Sequence, residues 1–125
     1  MRNLGAECVS IEVSSHAIDQ DRVAAVRFNT ADFTNLTRDH LDYHGTMEAY
    51  AAAKARLFAW PGLRHAVINI DDAFGSELAA QVRGPALLRC GIDNAKADIR
   101  ASRIVTDARG LRFRLATPWG EGDVA

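Results

Sequence analysis

The chain has 125 residues, 48% hydrophobic and 25% charged, the balance of an ordinary globular protein with room for one domain. Its formal charge of −1 is spread over mixed signs, so no basic stripe predicts a nucleic-acid partner. Cys8 and Cys90 form no CxxC pair, and no apolar run is long enough to cross a membrane. We therefore expect a reduced, cytoplasmic setting.

The first third of the chain predicts short strands separated by polar turns. Residues 7–13 alternate and then become apolar, which predicts a strand of a partly buried sheet. We expect a short polar turn over 14–22, and one strand or two short ones over 24–36. Residues 1–5 resemble the last turn of a helix whose start is missing.

The middle third predicts alternating helices and strands. Residues 47–60 are rich in Ala, Leu, Met and Lys and contain no Gly, so they predict a helix capped by Thr46 and closed by Pro61-Gly62. A β-branched strand over 65–70, a helix over 71–82 and a strand over 86–91 follow. This order indicates βαβ units and a parallel sheet, which is an α/β fold.

After residue 95 the pattern changes. Two strands on either side of the turn at 107–110 predict an antiparallel appendix. The chain then ends in a Gly-rich turn, for which we expect no returning strand. Both ends look cut, which suggests a piece from inside a larger domain.

Polar residues follow three of the predicted strands, at 12–16, 35–44 and 69–72. Because ligands of parallel α/β sheets gather at the carboxyl ends of strands, we expect these clusters to share one rim. The Glu12 carboxylate suits Mg²⁺, and His40 could add a nitrogen ligand. The alternative is ordinary: a strand-end Glu is often solvated, and a loop His often only forms hydrogen bonds.

Helical spacing places Lys54 on the apolar face of the helix predicted over 47–60. Two interpretations are open. The side chain extends its ammonium to the rim of the core, or burial disfavours the charged form and lowers its pKa. A neutral amine can react with CO₂ to form a carbamate, which is an anionic oxygen ligand.

The segments "EVSSHAIDQDRV", "FTNLTRDHLDYHGTMEAYAAAKARLF" and "VINIDDAFG" occur in this order and closely resemble the middle domain of the Mur ligases. Within that family they are most similar to the branch that adds the third peptide residue of peptidoglycan. The resemblance runs over nearly the whole chain and implies a mainly parallel sheet flanked by helices, with 1–125 forming a partial ATP-binding domain.

The resemblance also implies roles for individual residues. Glu12 and His40 would bind Mg²⁺, and Lys54 would be a carbamylated catalytic residue that supplies a third metal ligand. Ser14, Gln20 and Arg22 would contact the UDP-N-acetylmuramoyl-dipeptide. Hydroxyl and amide groups can form hydrogen bonds with sugars and peptides, and the planar guanidinium of an arginine can pair with a carboxylate or a phosphate.

The activity implied is an ATP- and Mg²⁺-dependent amide ligation. ATP phosphorylates the D-glutamyl carboxylate, and a diamino acid, diaminopimelate before lysine, attacks the acyl phosphate. The enzyme implied is a monomer without a nucleic-acid partner. Alternatives are another ligase of the Mur or folylpolyglutamate type, and a non-catalytic remnant that binds a nucleotide sugar or a partner subunit.

The sequence departs from the family pattern in one respect. It contains no GxxGK[ST] phosphate loop, which lies upstream of the first strand in the relatives, and no carboxy-terminal domain that selects the amino acid. We therefore expect the 125 residues alone to be inactive.

Overall fold

The computed structural model describes residues 5–38, 41–108 and 110–125. Within these residues the strands form one sheet in the order β1-β2-β3-β4-β5-β6. The strands are β1 Thr30–Phe33, β2 His65–Asn69, β3 Ala86–Ile92, β4 Ile99–Asp107, β5 Gly110–Thr117 and β6 Gly120–Val124. The helices are α1 Ser15–Asp19, α2 Leu41–His44, α3 Met47–Ala55 with a 3₁₀ turn Arg56–Ala59, and α4 Ala73–Gln81.

The sheet changes direction at β4. Strands β1, β2 and β3 are parallel, and β4 begins parallel to β3 with Cys90 opposite Ile99. Strands β4, β5 and β6 then pair antiparallel, with a register shift between Ser102 and Val105. The predicted α/β class with an antiparallel appendix is confirmed, and the appendix is continuous with the parallel sheet.

Helix α3 follows the predicted capping pattern. The Thr46 hydroxyl accepts a hydrogen bond from the Ala49 N–H at 3.2 Å, which satisfies one of the unpaired donors of the first turn. The helix tightens into the 3₁₀ turn and ends in an extended residue, Trp60, before the Pro61-Gly62 turn. The helix predicted over 47–60 is therefore confirmed, although its last part is 3₁₀.

The core lies between the parallel strands and the helices α3 and α4. Its buried cluster comprises Ala31, Phe33, Phe58, Ala66, Ile68, Leu78 and Ala79. Phe33 of β1 meets Phe58 and Phe74 edge-on, with ring centroids 6.4 and 5.6 Å away. Packing of these rings fixes the two helices against the sheet and so positions the loops at the carboxyl ends of the strands.

Two predictions for the first third of the chain were wrong. Residues 7–13 form no strand, and Val9 and Ile11 are 56% and 51% exposed. The alternating pattern suits a strand, but a strand needs hydrogen bonds to a neighbour, and no described segment pairs with these residues. The polar turn predicted over 14–22 begins with α1, because Ser14 caps a short helical turn.

One prediction for the first third of the chain was confirmed. Residues 24–36 contain one strand, β1, which was one of the two alternatives.

The expectation that no strand returns at the C terminus was wrong, since β6 pairs with β5 from Val124 opposite Phe113 to Gly120 opposite Thr117. Glycines at 120 and 122 suggested a turn, but both lie in the strand. The predicted helix end at residues 1–4 lies outside the described residues. No helix in the described ranges is both long and apolar enough to span a membrane.

Candidate functional site

Helices α1, α2 and α3 bring a serine, histidines and tyrosines together. Ser15 is 1% exposed, and its Oγ lies 2.9 Å from His44 Nε2. The His44 ring stacks on the Tyr50 ring with centroids 5.4 Å apart. Ser15 and His44 therefore tie α1 to the start of α3, and the buried hydroxyl has its hydrogen-bond partner within the protein.

Tyr43 is the centre of a second set of contacts. Its hydroxyl donates to Asp19 Oδ2 at 3.0 Å and accepts from Gln20 Nε2 at 3.2 Å. Its ring lies 4.2 Å from the His16 ring and 4.8 Å from the His44 ring, centroid to centroid. Tyr43 thus joins α2 to the end of α1.

Arg56 contacts the same end of α1 from the other side. Its guanidinium nitrogens lie 3.4 Å from Asp19 Oδ1 and 3.3 Å from Asp21 Oδ1. These three side chains are 47%, 43% and 72% exposed, so each ion pair adds little to stability. The pairs nevertheless restrict where the turn after α1 can lie.

Lys54 is half-buried on α3. It lies beside the buried residues Tyr50, Ala51 and Phe58, as the spacing predicted. Its Nζ is 5.2 Å from the centroid of the Tyr50 ring, a distance at which an ammonium ion is attracted to the ring face. The carbamate on Lys54 stays a prediction.

Asn69 and Asp72 hold the backbone that follows β1. The Asn69 amide donates to the Thr34 carbonyl at 2.8 Å, and Asp72 Oδ2 accepts from the Leu36 N–H at 3.0 Å. The other Asp72 oxygen accepts from the Gly75 N–H at 2.8 Å and caps α4. The clusters at 35–44 and 69–72 therefore meet at one rim, as predicted, whereas the cluster at 12–16 follows no strand in the described residues.

Asp71 makes different contacts from Asp72 and does not cap α4. Its carboxylate accepts hydrogen bonds from the Ile92 N–H at 2.5 Å and from the Asn94 amide at 2.8 Å. Burial, followed by the negative charges of Asp32 and Asp71, raises the pKa of the Cys90 thiol. Cys90 is therefore held in its neutral, less reactive form.

Two of the predicted metal ligands, Glu12 and Lys54, differ in exposure. Glu12 is exposed in the extended segment before α1, and no hydrogen bond or ion pair connects it with another described residue. His40 lies outside the described residues. Within the described ranges no three His, Cys, Asp or Glu side chains come together as a metal site. The donor chemistry still suits Mg²⁺, which commonly takes one or two carboxylates and completes its coordination with water and phosphate oxygens.

The predicted substrate contacts lie on and beside α1. The Ser14 hydroxyl accepts from the Ala17 N–H at 3.2 Å and so caps the helix. The Gln20 side chain is held by Tyr43 through one amide hydrogen bond, which leaves its amide oxygen available as an acceptor. Arg22 is exposed, and its guanidinium makes no hydrogen bond with another described residue. An exposed fork of this kind can pair with a carboxylate or a phosphate.

Sequence reasoning missed Tyr43 and Arg56. Tyr43 lies inside the "DHLDYHG" segment but was given no role, and Arg56 was treated as part of a helix. Their partners are 23 to 37 residues away in the chain, so no periodicity within a helix could have indicated the contacts. The one available signal was the density of polar residues around Tyr43.

Comparison with known proteins shows the family to which this chain belongs. The sequence profile of the Mur ligase middle domain matches residues 1–125. The UDP-N-acetylmuramoyl-L-alanyl-D-glutamate--2,6-diaminopimelate ligase of Ectopseudomonas mendocina is 57% identical over 122 residues, which are 98% of this chain and 25% of that ligase. The ligase of the same name from Pseudomonas aeruginosa is 52% identical over 122 residues, with the same coverage.

Solved structures agree with these matches. A structure of a UDP-N-acetylmuramoyl-L-alanyl-D-glutamate--2,6-diaminopimelate ligase superposes with a TM-score of 0.89 at 38% identity, covering 98% of this chain and 26% of that one. A MurF structure from Acinetobacter baumannii has a TM-score of 0.64 at 21% identity over 77% of this chain, which shows the shared fold alone. The chain spans about a quarter of the length of these relatives. It belongs to the Mur ligase family, as a middle domain.

Proposed function

We propose that this chain is the middle domain of an ATP-dependent ligase that joins 2,6-diaminopimelate to UDP-N-acetylmuramoyl-L-alanyl-D-glutamate in peptidoglycan synthesis. The observation that carries the proposal is the 57% identity, across 98% of the chain, to a ligase of that name. The 38% identical structure with a TM-score of 0.89 bears the same name. We refer below to the longer protein that carries these residues as the full-length ligase.

The proposed reaction has two steps. The γ-phosphoryl group of ATP moves to an oxygen of the D-glutamyl carboxylate, which yields an acyl phosphate and ADP. The amine of the diamino acid then attacks the acyl carbon, phosphate leaves, and the nitrogen loses a proton. Neither step needs a protein nucleophile, so the contribution of the chain is to position the substrates and balance their charges.

Substrate positioning falls to residues on and beside α1. Ser14, Gln20 and Arg22 would contact the UDP-linked dipeptide, and the exposed Arg22 guanidinium suits one of its anionic groups. Gln20 is already held from one side by Tyr43, which lowers the entropy lost when the amide binds a ligand. We infer that this end of α1 faces the dipeptide.

Glu12, His40 and Lys54 are the residues that would hold Mg²⁺. Lys54 fits this set only as a carbamate, because an ammonium ion cannot be a metal ligand. The proposed carbamate forms when the Lys54 amine adds to CO₂ and loses a proton. When bound, Mg²⁺ would neutralise charge on the phosphoryl oxygens. We also propose that the full-length ligase is cytoplasmic and monomeric.

The test is the mass of the product. Purified full-length ligase should convert UDP-N-acetylmuramoyl-L-alanyl-D-glutamate to the diaminopimelate-containing tripeptide, with one ADP released for each amide formed. Lysine in place of diaminopimelate should give little product. Product with lysine alone, or ATP hydrolysis without any tripeptide, would contradict the proposal.

A further inference from the structure

The turn that follows α1, residues 19–22, is held from two directions. We call these four residues the α1 turn. Its backbone continues from α1, because the Gln20 and Arg22 N–H groups donate to the His16 and Ala17 carbonyls, both at 2.9 Å. Backbone contacts therefore anchor the turn along its length, but they do not fix the directions of its side chains.

The α1 turn contains one residue with left-handed backbone geometry. Asp21 has a φ of 53°, a conformation that Asp adopts more readily than most residues other than Gly and Asn. Backbone geometry here is compatible with the residue and leaves open where its side chain points. Side chains from outside the turn supply contacts that restrict this direction.

Tyr43 and Arg56 reach the α1 turn from separate helical elements. From α2, the Tyr43 hydroxyl binds Asp19 at 3.0 Å and Gln20 at 3.2 Å. From the 3₁₀ turn after α3, Arg56 lies 3.4 Å from Asp19 and 3.3 Å from Asp21. Asp19 is thus shared by both residues, and the two proposed substrate contacts Gln20 and Arg22 lie on the segment that they hold.

We propose that Tyr43 and Arg56 are positioning residues that hold the α1 turn so that Gln20 and Arg22 meet the UDP-linked dipeptide. The inference rests on the proposed function. It goes beyond that function because neither residue contacts the substrate; each acts through its partners in the turn.

The small contribution of these contacts to the free energy of unfolding distinguishes a role in substrate positioning from a role in folding. The Arg56 side chain is 47% exposed and Tyr43 is 41% exposed, so their contacts contribute little to the free energy of unfolding. The Tyr43→Phe change keeps the ring against His16 and His44 and removes only the hydroxyl. A purely structural contact of this kind would leave substrate binding unchanged, whereas a positioning contact would alter it.

The experiment uses steady-state kinetics of the full-length ligase. Tyr43→Phe and Arg56→Gln should each raise KM for UDP-N-acetylmuramoyl-L-alanyl-D-glutamate roughly three- to tenfold, the effect of losing about one net hydrogen bond. KM for ATP and kcat should stay within about twofold. An unchanged KM for the dipeptide substrate in both variants would overturn the inference.

Matched controls lie in the antiparallel part of the sheet. Thr117→Val removes an exposed hydroxyl that donates to the Gly120 carbonyl at 2.9 Å and accepts from the Trp119 N–H at 3.1 Å. Arg112→Gln removes an ion pair with Asp107 in which the arginine side chain is also 47% exposed. Both controls should leave the three kinetic constants unchanged, and a rise in KM equal to that of Tyr43→Phe would contradict a specific role.

A double-mutant cycle with Gln20→Ala separates the inference from the proposed function. If Tyr43 acts through Gln20, the double variant should have nearly the KM of Gln20→Ala alone. Effects that multiply independently both in this cycle and in the matching cycle with Arg22→Ala would overturn the positioning role while leaving the function intact. If the unsubstituted ligase forms no tripeptide, the proposed function itself is contradicted. The double-mutant cycles test only the positioning role, so the two failures are distinguishable.

Discussion

The neighbours of Lys54 bear on two alternative states of its side chain, an ammonium ion and a carbamate. The Tyr50 ring face attracts its ammonium form, with Nζ 5.2 Å from the ring centroid. The proposed carbamate forms instead from the uncharged amine, and Lys54 lies beside the buried side chains of Tyr50, Ala51 and Phe58. A substitution that keeps the charge but prevents carbamylation distinguishes the two.

We expect Lys54→Arg in the full-length ligase to lower kcat by a factor of about 100 or more, because guanidinium cannot be carbamylated or bind a metal. Lys54→Ala should be equally inactive and partly restored by acetate. Rates are measured at saturating ATP and Mg²⁺. Lys96→Arg, at the other lysine of the chain, serves as an exposed control. Near-normal activity of Lys54→Arg would leave Lys54 as a packing residue.

The candidate site was only partly predictable from sequence. Helical spacing placed Lys54 beside Tyr50 and Phe58, and family resemblance supplied Gln20 and the other proposed substrate contacts, which stay predictions. The interaction of Tyr43 with Asp19 could not be predicted, because it joins two helical turns through the tertiary fold. Local patterns report which face of an element is apolar, but they do not report which polar side chains will meet.

At the scale of elements, α4 packs against β2 at a glycine. A Cβ on Gly75 would overlap the Asn69 carbonyl oxygen and lie 3.0 Å from Phe33 Cε1. Glycine is unfavourable inside a helix, so its presence at the third residue of α4 reflects this close approach.

Gly75→Ala should therefore destabilise the chain, although the same change usually stabilises a helix. We expect the free energy of unfolding to fall by about 1 to 3 kcal/mol, the usual cost of overpacking. Urea denaturation of the 125-residue chain measures it. Gly122→Ala, where a Cβ meets nothing within 4 Å, should change the free energy by less than about 0.5 kcal/mol. Equal stability of Gly75→Ala and the unsubstituted chain would show that α4 can move away from β2.

Elements with strong local signals were predicted correctly. Helix α3 has its Thr46 cap and Ala-rich composition, and β2 has its β-branched residues. The incorrect predictions concerned segments whose structure depends on pairing with residues elsewhere in the chain. Residues 7–13 have a strand pattern without a described partner, and β6 was hidden by its glycines although β5 pairs with it along five positions.

At the scale of the whole molecule, the described sheet would supply one rim of the active site of the proposed ligase. The chain covers 25% of the related ligase, and its sequence contains no GxxGK[ST] phosphate loop. We infer that the ATP phosphates are bound by other residues of the full-length ligase. The α1 turn and Lys54 would then have to meet those residues across the domain.

A chimera tests the central claim most directly, that these 125 residues can serve as the middle domain of a diaminopimelate-adding ligase. The matching segment of the Ectopseudomonas mendocina ligase is replaced by this chain, and tripeptide formation is measured. Since the two segments are 57% identical, the chimera should retain activity within roughly tenfold, about 1.4 kcal/mol of transition-state stabilisation. A folded chimera that binds ATP but forms no tripeptide would contradict the claim.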